Sequence, residues 1–144
     1  MKSLFFLLFY LVRITSVSSM ANINFKPCVK TSWPMYIHNK INDPIIIRVQ
    51  SKNDDLGNRT LPFNGSRDWR FCSNIGDKTH FYAHFYWKSR TAFFDVFTVP
   101  MAERYCSNGI PFKVQRCHWL LREDGFYISY KADYVSPHKL HTWS

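Results

Sequence analysis

The stretch His80–Trp87, HFYAHFYW, alternates without a break. Phe81, Ala83, Phe85 and Trp87 fall on one side of an extended chain, and His80, Tyr82, His84 and Tyr86 on the other. Side chains on a strand point alternately to opposite faces, so an apolar row backed by a polar-aromatic row reads as a strand half-buried against a core. Lys88-Ser89-Arg90 follows as a tight turn, and Thr91–Thr98 is the returning strand of an aromatic hairpin.

The same parity groups Ile45, Ile47 and Val49, then Cys117, Trp119 and Leu121, then Phe126, Ile128 and Tyr130. Further candidate strands are Met35–Lys40, Ile45–Ser51, Thr60–Phe63, Arg67–Cys72, Lys113–Leu121 and Phe126–Lys131. Asn42-Asp43-Pro44, Asn64-Gly65, Asn74–Asp77 and Glu123-Asp124-Gly125 punctuate them as turns. Met101–Arg104 reads as one helical turn. Strands with one apolar face each must bury those faces against one another. The expected fold is therefore all-β: a two-sheet, disulfide-stabilised β-sandwich of about seven or eight strands with at most one short helical turn. It is expected to span residues 34–133, after an N-terminal segment at 20–33. Residues 134–144, with Pro137 and mixed polar side chains, are expected as a flexible C-terminal tail.

Residues 1–19 read as a signal peptide. Lys2 supplies the positive start, Leu4–Val12 is a nine-residue apolar run, and Ser16–Ser19 offers small residues for cleavage before Met20. Nine apolar residues stopped by Arg13 are too short to span a bilayer. The expectation is a secreted, extracellular protein with no membrane insertion. The whole chain carries 19 basic and 10 acidic residues, a formal net charge of +9. Without Lys2 and Arg13 the balance is 17 against 10, or +7, over about 125 residues. These charges are scattered rather than clustered, which argues against a nucleic-acid groove and favours attraction to acidic surfaces.

Cys28, Cys72, Cys106 and Cys117 all lie beyond the leader. An even count in a small secreted domain reads as disulfides, with three connectivities open. No Cys-x-x-Cys pair is present, so zinc is a weak alternative. Asn58-Arg59-Thr60 and Asn64-Gly65-Ser66 are N-glycosylation sequons at expected turns, making Asn58 and Asn64 candidate glycan acceptors.

Lys52, Asn53, Asp54 and Asp55 form a loop after the strand Ile45–Ser51, closed by Leu56-Gly57. The paired acids suit calcium binding, partner contact or a solvated turn. Calcium needs more oxygen ligands than this loop carries, and no Asp-x-Asp-x-Asp-Gly pattern is present. Asp readily hydrogen-bonds its own backbone and Gly57 tolerates positive φ, which favours the turn. His80 and His84 lie about 13 Å apart on a strand and cannot share an ion. His118 should face away from Cys117 as an ordinary outward residue. No metal, cofactor or catalytic residue is expected: Gly-x-Ser-x-Gly and His-Glu-x-x-His are both missing. Tyr82 and Tyr86, beside Trp69 and Trp143, could stack on sugars, but a dense aromatic face is more often core.

Four motifs in order carry a resemblance. They are Arg48–Gly57 (RVQSKNDDLG), Phe81–Trp87 (FYAHFYW), Phe94–Phe97 (FDVF), and Cys117-His118-Trp119 with Glu123–Tyr127 (EDGFY). The chain resembles the plant S-protein homologues, small secreted proteins related to the self-incompatibility proteins of poppy stigma, over roughly residues 34–130. In that family the positions of Val49 and Ala83 carry cysteines. Their joint replacement is expected if those two cysteines bond to each other in relatives. The resemblance also implies Cys106–Cys117 as the family's last pair, and leaves Cys28 and Cys72 as an added pair stapling the N-terminal segment to the sheet. By the same resemblance the protein is a non-enzymatic signalling ligand. Its partner would be a membrane receptor on a neighbouring cell, with self-incompatibility, the rejection of self pollen, as a candidate role. Binding would use the loops Lys52–Gly57, Asn74–Asp77, Lys88–Arg90 and Ser107–Pro111. The His-containing motifs of the self-incompatibility ribonucleases are missing. Net positive charge motivates the competing reading, a secreted cationic defence or antimicrobial protein.

Overall fold

A computed structural model describes residues 32–73, 78–107, 115–131 and 136–144. The aromatic hairpin forms as the alternation requires. β5 (His80–Trp87) buries Phe81, Ala83, Phe85 and Trp87 and turns its other row outward. It pairs antiparallel with β6 (Arg90–Thr98), closing through Lys88-Ser89 with Lys88 at φ 52°. β2 (Ile45–Ser51) lies on the other side of β5, and β3 (Asp55–Leu61) pairs with β2. All pairs in this four-stranded sheet, ordered β3-β2-β5-β6, are antiparallel.

The second sheet has the order β4-β1-β7-β8-β9. Its strands are β1 (Ser32–Asn39), β4 (Ser66–Cys72), β7 (Cys117–Arg122), β8 (Gly125–Ser129) and β9 (His138–His141). β1 and β7 run parallel, joining chain segments some 80 residues apart such as those of His38 and His118. The inner faces meet through aromatic rings. Phe71 and Trp33 pack edge-on against Phe97, and Phe94 lies between Trp119 and Phe126 at centroid distances of 5.1 and 4.8 Å. Trp119 is fully buried and its indole N–H donates to the Val96 carbonyl at 2.9 Å, a polar link from one sheet to the other. Aromatic pairs of this kind add to the area they bury.

The expected helical turn is α1 (Val99–Tyr105), just after β6. Thr98 caps it by accepting the Met101 N–H, Pro100 sits in its first turn, and Val99 and Ala102 anchor its buried side. It ends at Cys106, which is joined to Cys117 at the start of β7, so the helix is tied across to the five-stranded sheet.

Two expectations need correction. The described residues hold nine strands rather than seven or eight, and the additional one lies in the expected tail. Instead of being loose, residues 138–141 pair with β8 as β9. Trp143 then packs on Trp87 and Phe126, its indole N–H donating to the Arg122 carbonyl, and Ser144 and Thr91 exchange backbone hydrogen bonds. Polar composition was the wrong guide. A short edge strand needs few apolar residues when its hydrogen bonds and one large ring do the anchoring. Gly125 permits this approach, since a Cβ there would run into the His141 carbonyl. The sandwich thus extends past 34–133 in both directions, from Ser32 to Ser144. Residues 1–31, including the expected leader, most of the 20–33 segment and Cys28, lie outside the described residues.

The second correction concerns β3. Instead of starting at Thr60 it starts at Asp55, because the loop after β2 is shorter than expected. Arg48 pairs with Asn58 and Gln50 with Asp55, leaving Leu56 and Gly57 opposite Val49 as a bulge. Gly57 adopts φ 74°, which side-chain-bearing residues resist.

Candidate recognition surfaces

The tip of the β2–β3 hairpin exposes Lys52, Asn53 and Asp54. Its backbone is held from both sides. The Ser51 N–H donates to the Asp54 carbonyl at 2.7 Å, and the Asp54 N–H donates back to the Ser51 hydroxyl at 3.1 Å. Asp55 accepts from the Arg48 guanidinium through both carboxylate oxygens and from the Gly57 N–H at 2.9 Å. These bonds, Arg48 first, hold the Asp55 carboxyl below the usual carboxylate range. The two acids therefore differ in role. Asp55 builds the turn, while the Asp54 side chain projects from it.

The expected recognition loops do not form one surface. The β2–β3 tip shares its end of the sandwich with the close of β4 at Cys72, the start of β5 at His80, and the Cys106–Cys117 bond. Lys88–Arg90 lies at the other end, where Lys88 meets Asp43 and Thr91 meets Ser144. Asn74–Asp77 and residues 108–111 of the fourth loop lie outside the described residues.

Two sheet faces also present chemistry. On the four-stranded sheet, outward residues line up in rows across the strands. One row is Asn58, Arg48, His84 and Phe93; the next is Thr60, Ile46, Tyr86 and Thr91. Phe93 is 60% exposed, Ile46 42% and Tyr86 41%, and His84 stacks on Phe93 at 4.3 Å. Trp69 and Trp143 are not beside Tyr82 and Tyr86, as the sequence suggested. Trp69 packs on Phe81, inside the sandwich, and Trp143 closes its far end.

On the five-stranded sheet, the strand neighbours Tyr36 and His118 stack at 4.5 Å, and His38 Nε2 meets His118 Nδ1 at 3.0 Å. With Asp68, Arg116 and Tyr130 they line an open groove of about 830 Å³. His118 is thus no ordinary surface residue: it is only 4% exposed. Burial, then the charges of His38 and Arg116, push its pKa down to about 4, and burial with Lys40 lowers that of His38. Both rings are neutral at pH 7, so one can donate to the other. Alternation could have turned each histidine outward. Their meeting depends on the parallel β1–β7 pairing, for which the sequence holds no local signal.

Asn58 and Asn64 are both exposed, Asn58 on edge strand β3 and Asn64 in the turn before β4 at φ 63°. Cys72 is disulfide-bonded, and its expected partner Cys28 lies outside the described residues. Among the described residues no group of three or more His, Cys, Asp or Glu is placed to hold a metal ion, and no helix is long and apolar enough to cross a membrane.

An antiparallel four-stranded sheet packed on a mixed five-stranded one, an aromatic interior and a disulfide define a small disulfide-bonded β-sandwich. The plant self-incompatibility protein S1 family matches residues 35–143, and this chain belongs to that family. It is 29% identical to S-protein homolog 5 of Arabidopsis thaliana over 82 residues, covering 57% of this chain and 58% of the relative. It is 35% identical to S-protein homolog 3 of the same plant over 69 residues, 46% of each. The chain thus spans about half the length of these curated relatives. A solved structure shares the fold with a TM-score of 0.58 at 17% identity, covering 81% of this chain and 98% of its own. It is described as an SPH (self-incompatibility protein homologue) protein, of a widespread family of small, highly stable, secreted proteins from plants. Extracellular localisation, expected from the leader, is that of the family.

Proposed function

We propose that this protein is a secreted ligand that binds a cell-surface receptor through the β2–β3 tip. The observation that carries the reading is a tip that is rigid in backbone and free in side chain. Arg48, Ser51, Asp55 and Gly57 hold it while Lys52, Asn53 and Asp54 point to solvent. A preordered loop loses little entropy on binding, and its three side chains can vary without disturbing the core. Family membership supports a recognition role, with self-incompatibility as the candidate setting. No catalytic role is part of this reading. Residues 1–19 act as a cleaved leader, and Cys28 is the partner of Cys72. The absence of free cysteines among the described residues and the Cys106–Cys117 bond support that pairing.

Labelled protein applied to intact plant cells should bind saturably. The triple variant K52A/N53A/D54A should bind at least tenfold more weakly with an unchanged melting temperature. Equal binding by the variant, or non-saturable uptake, would overturn the reading. Permeabilisation of anionic vesicles that tracks the net positive charge, +7 without the leader's Lys2 and Arg13, rather than the tip would support the cationic defence alternative.

A further inference from the structure

We propose that the outer face of the four-stranded sheet is a platform for the protein's own N-linked glycan at Asn58. The face is unusual in carrying an aromatic and aliphatic patch, Phe93, Tyr86 and Ile46, open to water. Contiguous exposed apolar surface on a secreted protein calls for a covering partner. The register supplies one. Asn58 pairs with Arg48, Arg48 with His84, and His84 with Phe93, so the sequon asparagine stands in the same lateral row as the stacked His84–Phe93 rings.

At the usual spacing of adjacent strands, Asn58 lies about 10 Å from His84 and about 14 Å from Phe93. The inner sugars of an N-linked core cover that span. Arg48, the residue between, is drawn towards the hairpin tip by Asp55, which leaves the row open. Asn58 and Thr60, the ends of the sequon, both belong to outward rows of edge strand β3, where a glycosylating enzyme has access. The apolar C–H face of a pyranose suits the negative face of an aromatic ring. Gln50, which pairs with Tyr82 in the next outward row, supplies a hydrogen-bond donor for sugar oxygens. Asn64 belongs to no strand row and has only the single exposed ring of Phe63 beside it in the chain. It sits in the turn before β4, beside Lys40.

The test uses the full chain secreted from a plant or insect cell that attaches N-glycans. Mass spectrometry should find Asn58 occupied. NMR should show protons of its inner sugars shifted upfield by ring currents, and Phe93→Ser, an exposed change, should abolish the shift. Asn58→Gln should raise fluorescence of an apolar-surface dye several-fold, whereas Asn64→Gln should not. The proposal is overturned if Asn58 stays bare while Asn64 is modified, or if the Asn58 sugars resonate as in a free glycan. Dimerisation of the glycosylated protein through Phe93 would equally overturn it, since the face would then serve a second copy.

Discussion

Asn39 shows how much one side chain can organise. It is fully buried, and its amide donates to the carbonyls of Asp43, Leu61 and Pro62 while its oxygen accepts the Ile41 N–H. One residue at the end of β1 thereby fixes the chain's crossing to the other sheet and the turn that brings it back. Buried amides persist where every polar atom is matched. Val49 and Ala83 pose a different question. They are fully buried and directly paired across β2 and β5, which agrees with the inference that relatives carry a bond there. The double variant V49C/A83C should form that bond and gain about 2–4 kcal/mol over its reduced form. Thiol titration and urea unfolding with and without reductant check it. Two free thiols in the oxidised protein would count against it.

Among the elements, β9 departs furthest from expectation. It closes the sheet at its edge and places Trp143 over the gap between Trp87 and Phe126. Truncating a half-buried indole here removes packing and the hydrogen bond to Arg122. Trp143→Ala should therefore cost about 2 kcal/mol, less than a fully buried tryptophan, while Thr142→Ala costs close to nothing. Chemical denaturation of both variants decides it. Equal stability would mean that β9 is held by its backbone bonds alone. The strands legible in the sequence are those with a buried row of their own, such as β2 and β5. β9 is not legible there because His138–His141 borrows its stability from β8, a partner that no alternation within four residues reveals.

For the whole molecule, buried rings and exposed acids set the response to acid. His118, His38 and His141 have folded pKa values below the ordinary 6.5, chiefly through burial. The unfolded chain then binds more protons as pH falls below 6.5, so their stabilising contribution, complete above that value, is lost as pH falls through each folded value, about 4 for His118. Asp43, Asp55 and Asp124 are held below 3.8 by hydrogen bonds from Trp87, Arg48 and Tyr127, so their contribution survives to lower pH and fails there. Melting temperature should decline between pH 6.5 and 4 as the histidines charge, and fall further below pH 4 as the carboxylates protonate. His118→Phe, which keeps the stack on Tyr36, should flatten the first part and leave the second. An unchanged slope above pH 4 would show that the His38–His118 pair plays no part in the acid response.

The sequence by itself determined the β class, the inward and outward rows of most strands, the turn residues and the family. Each of these depends on spacing within a few residues or on motifs in order. Only the tertiary structure decided which strands lie side by side. That choice brings His38 to His118, sets Asn58 in line with Phe93, and turns an expected tail into an edge strand. Pairing between distant segments rewards the total burial and hydrogen bonding of the assembled sheets, and no single stretch of chain encodes that sum.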